Sequence, residues 1–473
     1  MRVLCLVAIL GACASPNPDF CDATTPCADG RYCDLDGAVA GTKNACIDVS
    51  CTPSAFAQCD GDTALTCTAS GDGYAPSACT SGCSPTDGCH ECTPSTDSCV
   101  PAGLQHCDAA GHIASTDACT LACVDGATPH CGYISPRYLP DICDSPATPP
   151  TLDVVNSGSF DTDLDANCTG GVVAQTGASE LCVVHDVQIH IENSAELSII
   201  GTRALALVAD DDLAIDGVLH INGRVATPGP GADPTASGGS GDASTAGGGA
   251  GFHSAGGPAG NATTTGGAAN GGAQLADPAT LAVLMGGPSG GGVINVHVND
   301  PGGGGGGAAT LVSCTGEVSV TGTLDAGGGG GPGGKAGAYP FGRPAGGGGA
   351  GGYFVLQGAA IRVVGSAYAN GGGGGGGATS AGLGLDGHNG TLSNAAGGAG
   401  GAGYGTAGTG GDGGYGNHAP GDGIAPGDAN GTAGGGGGSV GFLQTYTPDG
   451  VTPTLTPAHQ SPVFQPNGTI PTR

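Results

Sequence analysis

One group of side chains suited to chemistry in this 473-residue chain is an acidic run, Asp210, Asp211 and Asp212. The run joins "ALALVA" to "LAIDG", two stretches with the alternation of β-strands, so the carboxylates are expected at a turn. Carboxylate oxygens are the ligands that Ca²⁺ prefers, and carboxyl groups also act as acids in catalysis. A solvated turn, whose charges keep neighbouring strands from aggregating, explains the run more simply. We therefore predict at most a weak calcium site here.

A second acidic sequence, "DTDLDANCTGG", contains Asp161, Asp163 and Asp165 at the spacing that opens a calcium-binding loop. That loop also needs a glycine for its sharp turn and a glutamate as its last ligand. Ala166 and Val172 occupy these two positions. Both departures argue against a calcium loop at this place.

Alternation along "HDVQIHIEN" predicts one continuous strand with its apolar side chains on one face. The other face would bring Asp186, His190 and Glu192 together, a set that could bind a metal ion or transfer a proton. Alternation alone, however, places polar residues on the outer face of any half-buried strand. An ordinary outer face is the favoured interpretation.

Two glycine-containing motifs have the spacing of known sites but lack their context. Gly329, Gly334 and Lys335 match the G-x-x-x-x-G-K of a phosphate-binding loop, yet Ala336 stands where that loop needs Ser or Thr. Ser289 lies in a G-x-S-x-G match without the strand, turn and helix that present a nucleophilic serine. Matches of this kind arise by chance where glycine is abundant. We predict neither nucleotide binding nor hydrolysis at these positions.

The composition favours a repetitive β-structure. Glycine supplies 101 residues, Trp is absent and aromatic residues make up only 4%. A core must therefore be filled by small aliphatic and β-branched side chains on repeated short strands. Lys and Arg total 10 against 40 Asp and Glu, a net charge of -30, which repels nucleic acid and anionic membranes. Cation binding stays open.

The N-terminus, "MRVLCLVAILGACASPNPDF", is typical of an export signal. Its apolar run, from Val3 to Ala12, is too short to cross a bilayer. Residues Leu10 to Cys13 resemble a bacterial lipobox, in which the cysteine is acylated and becomes the first residue of the mature protein. Cleavage after Ala14 at an A-x-A site is the alternative. We expect lipid attachment at Cys13 and, because no acidic residue follows it immediately, an outer-membrane location.

The cysteine pattern predicts tandem disulfide modules. Of the 22 cysteines, Cys5 and Cys13 belong to the signal region, and the remaining even number suits disulfide bonds in an exported protein. A four-cysteine unit comes first, followed by two six-cysteine units that each open with Cys-Thr-Pro-Ser. The two units comprise Cys51, Cys59, Cys67, Cys79, Cys83 and Cys89, and then Cys92, Cys99, Cys107, Cys119, Cys123 and Cys131. Six cysteines allow many connectivities, which the sequence does not distinguish.

Some cysteine positions have a competing interpretation besides the modular disulfide bonds. Residues 89–92, "CHEC", have the C-x-x-C spacing of a zinc site, but an oxidising compartment and the surrounding repeat favour disulfide bonds. We expect Cys168 and Cys182 to form a bond that clips the start of the second half. Cys314 is expected either to form a bridge or to fill the interior as a small residue.

The second half of the chain repeats the pattern h-x-h-x-G-x-h-x-h-x-G, in which h is apolar, with copies that begin at Leu213, Val318 and Ile361. Two short strands that meet at a glycine corner and return at intervals are typical of rungs in a right-handed parallel β-helix. Like residues should then stack between rungs. We expect the corner glycines to be required by a positive φ.

Glycine tracts separate the copies, and the longest lie within residues 325–352 and 395–440. They lack the side chains to form an apolar core. We expect them to leave one side of the solenoid, either as disordered loops or as extended polyglycine strands joined by lateral hydrogen bonds.

These patterns divide the chain into six segments. They are a signal peptide (1–13), a spacer with the four-cysteine module (14–50), the six-cysteine modules (51–143), a Pro-rich linker (144–156), the Gly-rich β-helix (157–443) and a Thr/Pro-rich tail (444–473). The predicted fold class is all-β, with small disulfide-rich modules followed by a Gly-rich parallel β-helix that carries irregular glycine-rich loops.

The order of lipobox, tandem six-cysteine modules, "PHCGYISPRYLPDICD" and Gly-rich repeat resembles surface lipoproteins of myxobacteria and related bacteria, over nearly the whole chain. The resemblance implies anchoring at the cell surface and no particular activity. We expect a non-enzymatic, lipid-anchored protein without a cofactor, with a structural, adhesive or envelope role. Its expected partners are the outer membrane and surface polysaccharide or other cells, not nucleic acid or nucleotides.

Two alternatives belong to other functional classes. A polysaccharide lyase or hydrolase built on a β-helix would bind sugar through aromatic platforms and cations. Beyond residue 150, however, the chain has five Arg, one Lys and no Trp. A calcium-dependent binding module would use the acidic run at residues 210–212. The scarcity of cationic and aromatic residues favours the non-enzymatic interpretation.

Overall fold

The computed structural model describes residues 19–473, except residues 29–30, 38–40, 49, 70, 72, 148–150, 243, 263–266, 276–280, 296–297 and 338–341. The chain forms two compact units, Met1–Cys131 and Gly132–Arg473. The described residues are almost entirely strands, turns and extended segments, with 3₁₀ turns at Ile142–Asp144 and Asp165–Asn167. The prediction of an all-β, disulfide-rich protein is confirmed.

The first unit is built from short antiparallel sheets of two or three strands. Its strands are β1 (Tyr32–Asp34), β2 (Ala45–Ile47), β3 (Phe56–Asp60), β4 (Thr63–Cys67), β5 (Tyr74–Ala78), β6 (Cys83–Ser84), β7 (Gly88–Cys89), β8 (Asp97–Val100), β9 (Gly103–Cys107), β10 (Ile113–Asp117), β11 (Cys123–Val124) and β12 (His130–Cys131). They pair in chain order as β1–β2, β3–β4–β5, β6–β7, β8–β9–β10 and β11–β12. Hairpins this short bury little apolar surface, so covalent bonds must help to hold them.

Disulfide bonds hold these hairpins together. The bonds are Cys21–Cys33, Cys27–Cys46, Cys51–Cys67, Cys59–Cys83, Cys79–Cys89, Cys92–Cys107, Cys99–Cys123 and Cys119–Cys131. The two six-cysteine modules share one connectivity, first cysteine to third, second to fifth and fourth to sixth. Cysteines also supply most of the buried apolar side chains of this unit, so the bonds take the place of a core.

The second unit contains a large, mostly parallel sheet, which we call sheet 1. Its eleven strands are β13 (Leu152–Val154), β15 (Gly171–Val173), β16 (Leu181–Asp186), β17 (Ile189–Ile191), β19 (Ala204–Ala209), β20 (Leu213–Ile215), β26 (Ala308–Val320), β28 (Tyr353–Val363), β30 (Phe442–Thr447), β31 (Thr454–Leu455) and β33 (Gly468–Thr469). Strand β15 pairs antiparallel with β16 at one edge, and the other neighbouring pairs are parallel.

A second sheet, sheet 2, has six parallel strands and alternates with sheet 1 along the chain. Its strands are β14 (Gly158–Asp161), β18 (Glu196–Ile200), β21 (Val218–His220), β27 (Thr323–Asp325), β29 (Ser366–Tyr368) and β32 (His459–Ser461). After β14, two successive segments of sheet 1 directly precede each strand of sheet 2, as in β16–β17–β18 and β19–β20–β21. Strands β26 and β28 are long because each of them joins, in one continuous strand, the two sheet 1 segments of its repeat. Two small pairs lie outside these sheets, β22 (Asp233–Ser237) with β23 (Pro288–Ser289) and β24 (Val293–Asn295) with β25 (Val298–Asp300).

Both sheets contribute to one apolar core. Val318 is the register partner of Leu213 on one side and of Ile361 on the other, and all three are buried. Leu219 and Leu324, on neighbouring strands of sheet 2, are partners in the same core. Like residues therefore stack between repeats, as the h-x-h-x-G pattern predicts.

The corner glycines are required for a different reason from the one predicted. None of Gly217, Gly322 and Gly365 has a left-handed φ. Instead, a Cβ on Gly322 would overlap the carbonyl oxygen of Gly217, and a Cβ on Gly365 would overlap that of Gly322. The prediction of positive φ is therefore wrong, because close contact between successive corners excludes any side chain.

The glycine tracts form an ordered array, which we call the glycine bundle, and not irregular loops. Between β29 and β30 the chain runs out and back three times, through residues 370–377, 383–390, 397–404, 407–414, 421–425 and 432–441. Further excursions follow β21 and β27. Each excursion leaves after a strand of sheet 2 and returns at the start of a strand of sheet 1. Of the two predicted alternatives, laterally bonded polyglycine is the one observed.

Hydrogen bonds of the segment 371–377 repeat every three residues, which is the period of a polyproline II helix. Its N–H groups donate in turn to three neighbouring segments. Gly372 and Gly375 donate to Gly349 and Gly346, Gly373 and Gly376 to His388 and Leu385, and Gly374 and Gly377 to Gly411 and Gly408. Its carbonyl groups accept from three further segments, at residues 331–334, 398–404 and 435–438. The segment therefore has six hydrogen-bonded neighbours.

Glycine is obligatory inside the bundle because the backbones touch. A Cβ on Gly374 would overlap the carbonyl oxygen of Gly435, and a Cβ on Gly376 would overlap that of Ala402. Backbones at this distance satisfy their own N–H and C=O groups, so the interior needs no apolar side chains.

Side-chain oxygens replace the missing neighbour at the edge of the bundle. An N–H group on an edge segment has no backbone carbonyl on its open side and needs another acceptor. Asp386 accepts from the N–H of Gly333 at 2.7 Å, Asn389 from that of Gly330 at 3.0 Å and Asp412 from that of Gly400 at 2.8 Å. Part of the acidic surplus of the chain thus completes the bundle.

Two segment boundaries differ from those expected. The stretch 132–147 belongs to the second unit, where the fully buried Ile134 donates its N–H to the carbonyl of Cys314 at 3.0 Å. Cys143, assigned by the sequence pattern to the six-cysteine modules, bonds to Cys314. The expected tail, 444–473, contains β31, β32 and β33, which extend both sheets.

Candidate functional site

The acidic run predicted as a weak calcium site lies at a corner between β19 and β20, where its carboxylates bind protein donors. Asp210 accepts from Nε2 of His185 at 2.8 Å and from the N–H of Ala147 at 2.7 Å. Asp212 accepts from the N–H of Glu317 at 2.8 Å. These bonds tie the corner to its neighbours and use oxygens that a calcium ion would need. Asp211 makes its contact through its backbone carbonyl, which accepts from the hydroxyl of Ser313.

The second acidic sequence is organised by an arginine. Nη1 of Arg203 lies 2.6 Å from Oδ1 of Asp165, and its Nε lies 3.0 Å from Glu180. The hydroxyl and N–H of Thr202 donate to Asp163. The guanidinium group supplies the positive charge that the carboxylates would otherwise seek from a metal ion.

The predicted polar face of "HDVQIHIEN" is only partly formed. The strand breaks after Asp186, between β16 and β17, and Asp186 turns into the interior, where burial raises the pKa of its carboxyl group. The expectation that Asp186 lies beside His190 and Glu192 is therefore wrong. A one-residue change of phase at the break reverses the face of every residue before it.

His190 and Glu192 instead join two other carboxylates on the outer face of sheet 1. Nε2 of His190 lies 3.0 Å from Asp216, and Nδ1 lies 3.5 Å from Asp153. Ligand atoms of Asp153, His190 and Glu192 all lie within 4.8 Å of one another. The hydroxyl of Thr321 donates to Asp216 and lowers the pKa of its carboxyl group. The donor set could hold a divalent cation, although these hydrogen bonds also explain it as a polar surface.

The glycine motifs are parts of the bundle. The N–H groups of Gly329, Gly331 and Gly334, which a phosphate-binding loop would offer to its ligand, donate to backbone carbonyls of neighbouring segments. Lys335 pairs with Asp300 at 2.6 Å. The hydroxyl of Ser289 accepts from a backbone N–H at 3.3 Å and lies in the short strand β23. Each residue thus has a structural role in the array.

The cysteine motif at residues 89–92 has no free thiolate, because both of its cysteines are in disulfide bonds. Cys168 and Cys182 are bonded to each other. Cys13, the expected lipid attachment site, lies outside the described residues.

A cavity that no sequence motif indicates lies where β18 and β21 meet the first glycine excursion. We call it the proline pocket. Its volume is about 460 Å³, and its wall includes Ile199, Ile200, Asn222, Arg224, Pro228 and Pro230. The available signal was "RVATPGPGADP", residues 224–234, in which a rare cation and three prolines separate a strand repeat from a glycine tract.

A polar column on the outer face of sheet 2 runs beside the proline pocket. Ser198, His220 and Asp325 are register partners on three neighbouring strands. Nδ1 of His220 lies 2.8 Å from the buried Asp325, which also accepts from Nδ2 of Asn222 at 3.1 Å. The bond to Asp325 raises the pKa of His220. No hydrogen bond in the described residues joins Ser198 to His220, so the chain of bonds that activates a nucleophilic serine is incomplete.

Three turns at the outer end of the bundle contact one another. We call residues 378–382, 404–407 and 426–431 the tip loops. The hydroxyl of Thr406 donates to Asp428 at 2.8 Å, and Thr379 forms a bridge with Gly431. The opposite turns, 391–396 and 415–419, bind residues next to β29 and within β32, so the tip loops lie at the end remote from sheet 2.

The tip loops carry the side chains that the bundle interior excludes. Tyr404 is 47% exposed, and Leu383, directly after the first tip loop, is 59% exposed. Large apolar side chains exposed together on a rigid support are typical of binding surfaces. Short sequences made mostly of other residues interrupt the glycine tracts, such as "ATSAG" and "PGDANG", and they mark these loops in the sequence.

No protein-family model, curated protein or solved structure matches the chain. The disulfide bonds are typical of a protein exported to an oxidising compartment. Within the described ranges, no helix has the length and apolar character needed to cross a bilayer.

Proposed function

We propose that this is a non-enzymatic, lipid-anchored protein of the bacterial outer surface, in which the glycine bundle presents the tip loops for adhesion. Sheets 1 and 2 would be successive faces of a right-handed parallel β-helix, and the bundle would leave it at one corner. Mutual contact of the tip loops, at the end of the bundle remote from sheet 2, is the observation that carries the proposal.

The construction of the bundle supports a display role. Backbone hydrogen bonds on six sides leave each inner segment little freedom to move, and loops on a rigid scaffold commonly carry binding residues. The side chains of Thr406 and Asp428 further restrain two of the loops. A partner would therefore meet a preformed surface and would not have to order it.

Surface anchoring is tested by metabolic labelling with palmitate. We expect label on the wild-type protein and none on Cys13→Ala. Absence of label from both proteins would contradict the anchor and favour cleavage after Ala14.

Adhesion through the tip loops is tested with the full chain on a panel of surface polysaccharides and on intact cells. We expect the double variant Leu383→Ala, Tyr404→Ala to lower binding about tenfold or more, since exposed apolar anchors dominate such contacts. Val463→Ala, which trims another half-exposed apolar residue, serves as the matched control. Equal binding by all three proteins would remove the tip loops from the proposal.

The rival functions give different results with the same protein. Polysaccharide turnover by the wild type, lost when Asp210, Asp211 and Asp212 are replaced by Asn, would favour the lyase or hydrolase. Binding that is lost with a chelator and restored by Ca²⁺ would favour the calcium-dependent module. The proposed function predicts neither result.

A further inference from the structure

We propose that the proline pocket binds a carboxylated sugar residue, a hexuronate, through the guanidinium group of Arg224. This site is separate from the tip loops, so the proposal does not depend on their role in adhesion. Three properties of the pocket carry the inference: a preformed apolar cavity, an arginine without a carboxylate partner, and several hydrogen-bonding groups that face the cavity.

The cavity has the size and lining of a ligand site. Its volume of about 460 Å³ lies in the usual range for small-molecule sites, which are mainly apolar with a few fixed polar groups. The apolar residues of its lining include Ile200, whose side chain is partly exposed, and Pro228, Pro230 and Pro234. Apolar side chains in this arrangement can cover the C–H faces of a sugar ring.

The loop that closes the pocket is held in shape before any ligand arrives. Arg224 and Thr227 exchange backbone hydrogen bonds of 2.8 and 3.1 Å across a tight turn, and Gly229 donates to Gly305 of the bundle at 2.8 Å. The proline rings fix further backbone angles. A preformed wall lowers the ordering cost of binding.

Arg224 differs from most described cations of this acidic chain. Arg203, Arg343 and Arg473 each pair with a carboxylate. Arg224 is exposed at the mouth of the pocket and has no ion-pair partner among the described residues. A guanidinium group presents paired N–H donors that match a carboxylate. Arg224 thus offers such a fork to an anionic ligand at the pocket.

Asn222 offers the pocket a hydrogen-bond acceptor. Its Nδ2 must face Asp325, because a carboxylate accepts hydrogen bonds and does not donate them. The carbonyl oxygen of the same amide therefore points away from Asp325. Because Asn222 lines the pocket, this oxygen is placed to accept from a ligand hydroxyl.

The remaining polar groups favour a sugar over a simple fatty or aromatic acid. Ser179 and Thr227, whose side chains carry hydroxyl groups, line the cavity. Asp233 also lines it, but it is buried and already engaged in another interaction. Several donors and acceptors spread around one cavity suit a ring that carries many hydroxyl groups. The net charge of -30 opposes a dense polyanion at long range, but salt screens charges beyond about 8 Å, so a single uronate can bind.

The test uses the full-length protein in detergent and measures binding by calorimetry. The probes are methyl glucuronide, methyl glucoside and sodium acetate, which separate the acidic sugar from the neutral sugar and from the carboxylate alone. We expect methyl glucuronide to bind about tenfold or more tightly than either of the others. Equal affinity for glucuronide and glucoside would overturn the role of charge, and equal affinity for acetate would overturn the sugar assignment.

Variants locate the site. Arg224→Gln should lower glucuronide affinity about tenfold, to the level of the glucoside, and Arg224→Lys should recover part of the loss. Arg362→Gln is the matched control, because Arg362 is an exposed arginine on sheet 1 without an ion-pair partner in the described residues. Glucuronide binding that survives in Arg224→Gln, or that falls equally in Arg362→Gln, would overturn the assignment to the proline pocket.

Discussion

The parallel sheets and the glycine bundle lie in one compact unit but fill their interiors in opposite ways. Between the sheets, apolar side chains such as Leu207 and Leu311 stack in register. Inside the bundle, segments such as 371–377 contact their neighbours through backbone atoms alone. The sheets therefore derive stability from apolar burial, and the bundle derives it from satisfied backbone hydrogen bonds at van der Waals distance.

This difference changes what each region tolerates. A core of side chains accepts another apolar residue of similar volume, because neighbouring side chains can shift. A core of backbones accepts nothing larger than hydrogen, because the contacting atoms are carbonyl oxygens fixed by their own bonds. Four predictions test the comparison, in order of expected effect.

The largest effect is expected from a side chain inside the bundle. In Gly374→Val, the new Cβ overlaps the carbonyl oxygen of Gly435 and separates the two segments. We expect the free energy of unfolding to fall by more than about 4 kcal/mol. Hydrogen exchange and denaturant unfolding measure the change.

Gly337→Val is its control, because a Cβ on Gly337 meets no atom of the described residues within 4 Å. We expect stability close to wild type. If the two valine variants were equally stable, close backbone contact would not be what holds the bundle.

A core truncation in the sheets should cost less and act elsewhere. Leu207→Ala removes a buried side chain from β19 and should destabilise the unit by about 3 kcal/mol. We expect amide exchange to rise mainly in β19 and its neighbours. Leu385→Ala, at a residue that is 64% exposed, should leave stability unchanged. Equal loss of protection in the bundle would show that the two interiors are not separable.

A smaller effect is expected at the bundle edge. Asp386→Ala removes the acceptor of the Gly333 N–H, whereas Asp386→Asn keeps an oxygen in that place. We expect amide exchange at Gly333 to accelerate about threefold to tenfold in the alanine variant and little in the asparagine variant. Acceleration of the same size in both would mean that charge, and not the hydrogen bond, protects the edge.

The smallest effect is a pH dependence beside the proline pocket. Because the hydrogen bond to Asp325 raises the pKa of His220 in the folded protein above its ordinary value of 6.5, protonated His220 stabilises the fold. That contribution is complete below pH 6.5 and disappears as the pH rises through the folded pKa. The melting temperature of His220→Gln should therefore fall below wild type by more at pH 5.5 than at pH 8.5.

His388→Gln, at an exposed histidine on the bundle, is the control and should track the wild type at both pH values. A deficit of His220→Gln that grew with rising pH would reverse the sign and contradict the stabilising role of the protonated ring.

Local patterns predicted much of the architecture. The alternation around Leu213, Val318 and Ile361 predicted both the strands and their stacking, because strand periodicity and like-with-like burial are local properties. The break between β16 and β17 was missed, because "HDVQIHIEN" alternates without interruption and only packing against the next repeat decides where the strand bends.

The disulfide modules show a similar limit to what the sequence can predict. Cysteine count and spacing predicted bonded modules, whereas the pairing of first with third, second with fifth and fourth with sixth depends on which hairpins meet. Cys314 and Cys143 are 171 residues apart in sequence, so no local pattern could join them.

The sequence by itself determined that this protein has the cysteine content of an exported protein and an all-β, repetitive structure. Composition, cysteine number and periodicity are properties of the local sequence, so they can be read without knowing the tertiary contacts. Tertiary structure alone decided that the glycine tracts form one hydrogen-bonded bundle, since each inner segment needs six neighbours from distant parts of the chain. It also decided that the tip loops meet and that Arg224 faces the proline pocket. These features depend on which segments become neighbours. Because glycine has no side chain, the sequence of a glycine tract does not indicate which other segments it will contact.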